Sequence, residues 1–256
     1  MSVLSSKDNP RVRHWRRLSE DARYRRSKRR ALIEGPHLLE AVLQHGHKPV
    51  AVIATEKVAV RPEIACLRPV LVTEAVLRSV SGAETPQGVA AEIDIPAVGG
   101  DGAPAVFLEG VQDPANVGAI IRTAAAFGVR RVVLDRASAD PWSPKALRAG
   151  MGGHFALGIA EVRELAQEIE PFKGTLVCTV VNGGVPLAKA QLNGALGWIF
   201  GNEGHGVSEA MIDRADLKVT IPVGAGTQSL NVAAAVAVCL YEASRRKSGS
   251  DPDFGQ

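Results

Sequence analysis

The sequence, 256 residues long, lacks the marks of several protein classes. Its three cysteines, Cys66, Cys178 and Cys239, lie far apart and each among apolar neighbours, so neither a disulfide framework nor a thiolate metal site is indicated. No stretch approaches the roughly 20 apolar residues of a transmembrane helix. The longest nearly apolar run, residues 230–241, is too short and contains Asn231. The opening MSVLSSKDNPRVRHW has no apolar stretch of the kind found in secretory signals, so a cytoplasmic location is expected. Neither G-x-G-x-x-G nor G-x-x-x-x-G-K-[ST] occurs, which removes the usual dinucleotide and phosphate-loop fingerprints. His205 has no second His or Cys at ligand spacing, so no metal is expected.

What is present is an ordinary globular composition, 46% hydrophobic and 22% charged, which sets aside wholesale disorder, collagen and coiled coil. The net charge of +3 hides an asymmetry. Residues 1–30 hold nine Arg and two Lys against Asp8, Glu20 and Asp21, a local balance of +8, which leaves −5 for the remainder. Such a basic end points to a polyanion, nucleic acid before an anionic membrane.

Gly and Pro crowd residues 96–104, a linker that divides a domain of residues 1–95 from one of residues 105–256. In the first part a basic helix begins after Asn9, with Pro10 at its first position, and Gly35-Pro36 opens a second helix to about His45. Strands are expected at residues 31–34, 49–54, 70–72 and 88–93, and a short helix at 74–80, which together imply a small α/β/α layer domain. In the second part strands are expected at 105–109, 131–134, 156–159, 175–181, 198–201 and 217–221. Helices are expected at 116–127, 143–151, 162–169, 207–213 and 229–246. Short apolar strands alternating with helices indicate a parallel sheet covered on both faces. Ligands of such sheets bind beyond the carboxyl ends of strands, here the loops after Glu109, Gly201 and Ile221.

Three loops stand out. In the first, Asn116 is placed to cap a helix ending at Gly128, and Arg122 is the only charge on it, so its guanidinium must reach solvent, a buried carboxylate or an anionic ligand. In the second, Gly201-Asn-Glu-Gly-His-Gly206 follows a strand and precedes a helix, which gives a ligand close access to backbone while Glu203 argues against phosphate. It serves equally well as a plain structural bend. In the third, Ser229 is expected to cap the long last helix, which leaves the Asn231 amide in the first turn in need of partners, either as part of a capping cluster or at a functional site.

Taken in order, NVGAIIRTAAAFG, IFGNEGHGVS and IPVGAGTQSLNVAAAVAVCLYE resemble the three motifs of the SpoU (TrmH-like) family of RNA ribose 2′-O-methyltransferases, in the SPOUT superfamily. The segment SPKALRAGMGGHF looks like the stretch between the first two motifs, so the resemblance spans residues 105–246. KDNPRVRHWRRL, ALIEGPHLLEAV and TPQGVAA are similar to the L30e-like substrate-binding domain of bacterial members that act on large-subunit ribosomal RNA.

The resemblance implies an α/β fold whose C-terminal parallel sheet carries a deep trefoil knot, a rare exception to the rule against knots. It implies S-adenosyl-L-methionine as cofactor, bound by Thr179, Val180, Val181, Phe200, Gly201, Asn202, Ile221, Pro222 and Leu230. It assigns Arg122 to the 2′-hydroxyl or adjacent phosphate, with Asn116, Glu203, Ser229 and Asn231 shaping the catalytic site, in a homodimer whose active sites lie at the interface. The basic segment then becomes an RNA-binding arm of Arg11, Arg13, Arg16, Arg17, Arg23, Arg25, Arg26, Arg29 and Arg30, with Trp15 and Tyr24 available for stacking. Ribosomal RNA of the 23S type is the expected substrate. The alternatives are transfer RNA, or a non-catalytic RNA-binding assembly factor with the same fold.

Overall fold

The computed structural model describes residues 3–82, 85–98, 102, 104–224 and 229–247. Residues 99–101 and 103 of the expected linker, and residues 225–228 of the loop expected after Ile221, lie outside the described residues. In chain order the first elements are α1 (Pro10–Glu20), α2 (Ala22–Lys28), β1 (Arg30–Glu34), α3 (Pro36–Gln44), β2 (Ala51–Ala54), α4 (Glu56–Ala59), α5 (Pro62–Ala65), β3 (Val70–Leu71), α6 (Glu74–Val80) and β4 (Val89–Asp94). They are followed by β5 (Ala105–Leu108), α7 (Pro114–Ala126), β6 (Arg131–Asp135), α8 (Pro144–Gly150), β7 (Gly158–Val162), α9 (Ala166–Ile169) and β8 (Thr175–Thr179). The last are β9 (Val185–Pro186), β10 (Leu196–Phe200), α10 (Glu209–Ile212), β11 (Leu217–Thr220) and α11 (Val232–Lys247). Residues up to Pro96 group with Asp140–Phe155 in one compact unit, and Ala97–Ala139 group with the chain from Ala156 onward in another.

The first unit is built on a mixed sheet in the order β1-β4-β2-β3, with β4 antiparallel to both neighbours and β2 parallel to β3. Asn9 caps α1 by accepting from the Arg11 N–H at 2.9 Å, and Pro10 fills the first helical position, where no N–H is needed. Val12, Trp15 and Leu18, three residues apart, form its buried stripe against Leu32, Ile53 and Ala90 of the sheet and Val76, Leu77 and Val80 of α6. Asp21, in extended conformation, ends α1 and accepts from the Tyr24 N–H at 3.0 Å to start α2, so the basic stretch is two helices.

Two expectations about the basic arm are corrected here. Trp15 is not available for stacking: it is buried, and its Nε1–H donates to Glu92 Oε2 at 3.0 Å. Arg25 is not available to RNA: its side chain is 4% exposed, Nε donates to Asp140 Oδ2 at 2.8 Å, and Nη1 donates to the carbonyls of Leu18 and Ser19 at 2.6 and 2.9 Å. A buried guanidinium needs acceptors of this kind, and its burial keeps a phosphate from reaching it. The Arg25–Asp140 pair, with buried Ala146 and Leu147 of α8, holds residues 140–155 to the first unit. The linear division expected at the linker of residues 96–104 therefore has this excursion in it.

Glu92 is the buried acid of the unit. Burial alone would raise its pKa, but hydrogen bonds from His14 (3.1 Å), Arg30 (2.7 Å) and Trp15 outweigh that and hold it below the ordinary value. Arg30 is committed twice, since its Nε also meets Asp94 Oδ1 at 2.8 Å.

The second unit is a seven-stranded sheet in the order β7-β6-β5-β10-β8-β11-β9, with every pairing parallel. β5 and β10 are buried along their whole length, which explains their unbroken apolar sequence. Helix starts differ from expectation. Pro114 takes the first position of α7, so Asp113, accepting from the Ala115 N–H at 2.9 Å, is the cap in place of Asn116. Asn231 Oδ1 accepts from Ala233 and Ala234 at 2.9 and 3.3 Å, so Asn231 caps α11 in place of Ser229. The strand expected at 156–159 lies two to three residues later in β7, which shortens the following helix to α9. Cys178 and Cys239 are buried free thiols, each pushed up to about 12 by burial. Among the described residues no helix is long and apolar enough to cross a membrane.

If Arg25 is structural, Arg25→Ala should lower unfolding free energy by about 3–5 kcal/mol because it strands the Asp140 carboxylate. Arg13→Ala, on the exposed face of α1, should stay within about 0.5 kcal/mol. Urea titrations of the two variants check this.

Candidate active site

β5, β10, β8 and β11 are consecutive neighbours in the parallel sheet, so their carboxyl ends deliver four loops to one place. The loop after β10 has the most constrained geometry. A Cβ on Gly201 would stand 2.1 Å from the Gly206 carbonyl oxygen, so only glycine lets the loop close. It closes as a small hairpin in which Asn202 and Gly206 exchange backbone hydrogen bonds of 3.0 and 2.9 Å. The Asn202 side chain stitches it further: Oδ1 accepts from the Gly204 and His205 N–H groups, and Nδ2 donates to the Gly110 carbonyl at 2.8 Å beyond β5.

Against this hairpin lies a cavity of about 400 Å³. Thr179, Val180, Val181, Phe200, Gly201, Asn202, Ile221 and Leu230 line it, which is the whole expected cofactor set except Pro222. Glu203, Ser229 and Asn231 line it too. Asn116 does not, but it sits directly behind: Asn231 Nδ2 donates to Asn116 Oδ1 at 3.0 Å, and Asn116 Nδ2 donates to Glu203 Oε1 at 2.9 Å. One residue from each of the three sequence motifs is thus joined in a single hydrogen-bonded chain. Burial alone would raise the Glu203 pKa, but the bonds from Asn116 and from the Gln112 and Asp113 N–H groups outweigh it and hold the carboxyl below the ordinary value.

Arg122 is elsewhere. It is exposed on α7, outside the cavity lining, with no ion pair or hydrogen bond among the described residues. Of the destinations open to it, solvent is the one the chain shows.

His205, weighed above only as a metal ligand, lines the cavity, and so do Val207, Val223, Val232 and Ala235, which had not been singled out. Glu109, at the end of β5, accepts from both the N–H and the Oγ of Ser208 at 2.7 Å and so fixes the start of α10. Asp135, at the end of β6, accepts from the Gly110 N–H and from the Ser138 N–H and hydroxyl. Their signal was available: each is an acid at the carboxyl end of a parallel strand.

The lining suits a nucleoside that carries positive charge. Its volume falls within the range of small-ligand sites, and it pairs apolar walls with open backbone. Of the described residues that line it, Glu203 is the one carboxylate and none is Lys or Arg, so a sulfonium is accommodated where a phosphate would not be.

Residues 103–241 match the family model for the SpoU rRNA Methylase family. The chain belongs to that family. Residues 9–91 match the model of an MRM3-like substrate binding domain. The SpoU chain is 31% identical to the 23S rRNA (guanosine(2553)-2′-O)-methyltransferase RlmP of Bacillus subtilis (strain 168), over 94% of this chain and 98% of that protein. It is similar to a crystal structure of an AdoMet-bound rRNA methyltransferase from Sinorhizobium meliloti, with a TM-score of 0.83 and 26% identity, covering 96% of this chain and 98% of that one. The A. aeolicus TrmH/SpoU tRNA modifying enzyme superposes at a TM-score of 0.51 and 28% identity over 57% of this chain and 75% of its own. The α/β class with a C-terminal parallel sheet of the SPOUT methyltransferase fold is thus met, and this SpoU protein is an RNA 2′-O-methyltransferase that uses S-adenosylmethionine.

The low Glu203 pKa makes a pH prediction with a definite sign. A depressed carboxylate contributes stability above its unfolded value and loses it as pH falls through the folded one. The Asn116 side-chain amide resonance should therefore hold steady through the ordinary glutamate range, near about 4.3, and move only below it. A midpoint at or above that range would show that the chain of hydrogen bonds does not hold the charge.

Proposed function

We propose that this SpoU protein methylates a ribose 2′-hydroxyl of 23S ribosomal RNA in the cytoplasm, as a homodimer with active sites at its interface. The observation that carries the substrate assignment is that likeness to the 23S rRNA enzyme RlmP and to the AdoMet-bound rRNA methyltransferase runs through both parts of the chain, whereas the RlmB enzymes and the transfer-RNA enzyme match little more than half of it. The first unit would hold the RNA and the second carry the chemistry, with the linker of residues 96–104 between them. Insertion of β10 between β5 and β8 supports the trefoil-knotted path of the SPOUT fold.

Bound S-adenosylmethionine supplies a methyl group on a sulfonium, which leaves as a neutral thioether and needs no acid. The chain's task is alignment and management of one proton. Backbone at Thr179–Val181 and Gly201 would hold the nucleoside, with Ile221 and Leu230 as its apolar walls. The Asn231–Asn116–Glu203 chain would fix the floor beneath the reacting centre.

Arg122 would orient the RNA phosphate and stabilise charge that develops on the 2′-oxygen, while the proton leaves through phosphate or water. An arginine is in effect always protonated, so it does not serve as the base. Its exposure outside its own chain's cavity supports a site completed across the dimer interface.

Arg122→Lys should lower methyl transfer by about 100-fold, because the guanidinium fork is lost, and leave S-adenosylmethionine affinity within about twofold by calorimetry. Near wild-type transfer would overturn the role of Arg122. Failure of the wild type to bind S-adenosylmethionine would favour the non-catalytic assembly factor. Mapping ribose methylation across total RNA with and without the gene should show loss of a 23S site; a loss confined to transfer RNA would overturn the substrate.

A further inference from the structure

A second cavity, of about 290 Å³, lies wholly within the first unit between α4, α5, α6 and the turn into β4. Its chemistry is opposite to that of the first. Lys57, Arg61 and Arg78 line it against one carboxylate, Glu74, and none of these has an ion pair or side-chain hydrogen bond among the described residues. Three like charges around one hollow repel one another unless an anion joins them.

Its inner wall is built and rigid. Gly88 has φ +82°, and a Cβ there would stand 2.4 Å from Val58 Cγ2, so the turn closes on α4 only with glycine. The Gly88 carbonyl accepts from the Thr55 N–H at 3.0 Å. Thr55 is 6% exposed and stands at the start of α4, yet its hydroxyl makes no cap hydrogen bond. Thr55 lines the cavity, so its hydroxyl is open to a ligand there. Val58 and Leu77 add an apolar wall, and the Gln87 amide brings donors and an acceptor to the opening.

We propose that this cavity receives one unpaired nucleotide of the RNA substrate. Its phosphate meets Lys57, Arg61 and Arg78, its base lies on the apolar wall under an arginine plane, and the Thr55 hydroxyl and Gln87 amide bond its polar edges. A volume near the lower end of small-ligand sites, about 300 Å³, exceeds what a phosphate alone requires. A base held in a duplex cannot enter such a hollow, whereas an unstacked one can. The inference deepens the reading of the chain as an RNA enzyme and rests on it. The exposed arginines of α1 then act as a phosphate-tracking surface that does not discriminate single from double strands.

The test is fluorescence anisotropy of the full chain with a labelled 15-nucleotide single-stranded RNA and with its blunt 15-base-pair duplex. Arg61→Gln and Arg78→Gln should each weaken single-strand binding by about tenfold and duplex binding by less than about twofold. Thr55→Val, which keeps the shape and deletes the hydroxyl, should weaken the single strand about threefold or more without change in thermal stability. Arg13→Gln should weaken both RNAs alike. Equal losses on the two RNAs for Arg61→Gln and Arg78→Gln, or no loss, overturn the proposal. So does competition by free GMP as strong as that by RNA, which would make the cavity a mononucleotide site. Calorimetry with S-adenosylmethionine runs beside it: a wild type that binds the cofactor but no single-stranded RNA sinks this inference alone, whereas absence of cofactor binding sinks the methyltransferase reading.

Discussion

At Gly201 the chain passes so close to Gly206 that the smallest side chain would overlap a carbonyl oxygen. Much of the site depends on that approach. It closes the hairpin after β10, which presents Asn202 to Gly110 at the neighbouring strand end and turns Glu203 toward Asn116. Asn116 in turn receives Asn231, the cap of the last helix. Three segments far apart in sequence are locked by side-chain amides that each donate and accept, and the cavity is the space left over. Parallel strands make the arrangement possible, because every one of them ends on the same edge.

The arginines show how one residue type serves opposite ends. Arg25 and Arg30 lie within the same basic run as Arg11, Arg13 and Arg17, yet the first two are consumed by Asp140, Glu92, Asp94 and backbone carbonyls. The others stand exposed on the outer face of α1, where Arg11 covers the edge of Trp15 and Arg17 lies 3.9 Å over the Tyr24 ring. Burial decides which role is taken. Inside, a guanidinium without acceptors would be prohibitive; outside, it is free to exchange water for phosphate. The two cavities divide ligands by the same logic, one nearly free of charge and the other ringed by cations.

Much of this was legible in advance. The helix after Asn9-Pro10, the 74–80 helix, the apolar strands around β5, β6 and β10 and the glycine turn after Phe200 each carry a local cause: a cap, a period or a required backbone shape. Less legible were helix starts: α7 begins earlier, at Pro114, and α11 later, at Val232, so Asp113 and Asn231 are the caps in place of Asn116 and Ser229. The acids Glu109 and Asp135 carry a signal in their place at strand ends, but their partners, Ser208 and Gly110, come from other segments that local sequence does not name.

By itself the sequence determined the alternation of strands and helices, the basic end, the three motifs and the family they mark, since these are properties of residue type and order. Tertiary structure alone decided which arginines are bonded inside, that Trp15 is core, that residues 140–155 belong with the first unit, and that Lys57, Arg61 and Arg78 surround one hollow with Thr55. Such facts depend on which groups from distant segments share a low-dielectric space, and spacing along a chain does not encode that distance.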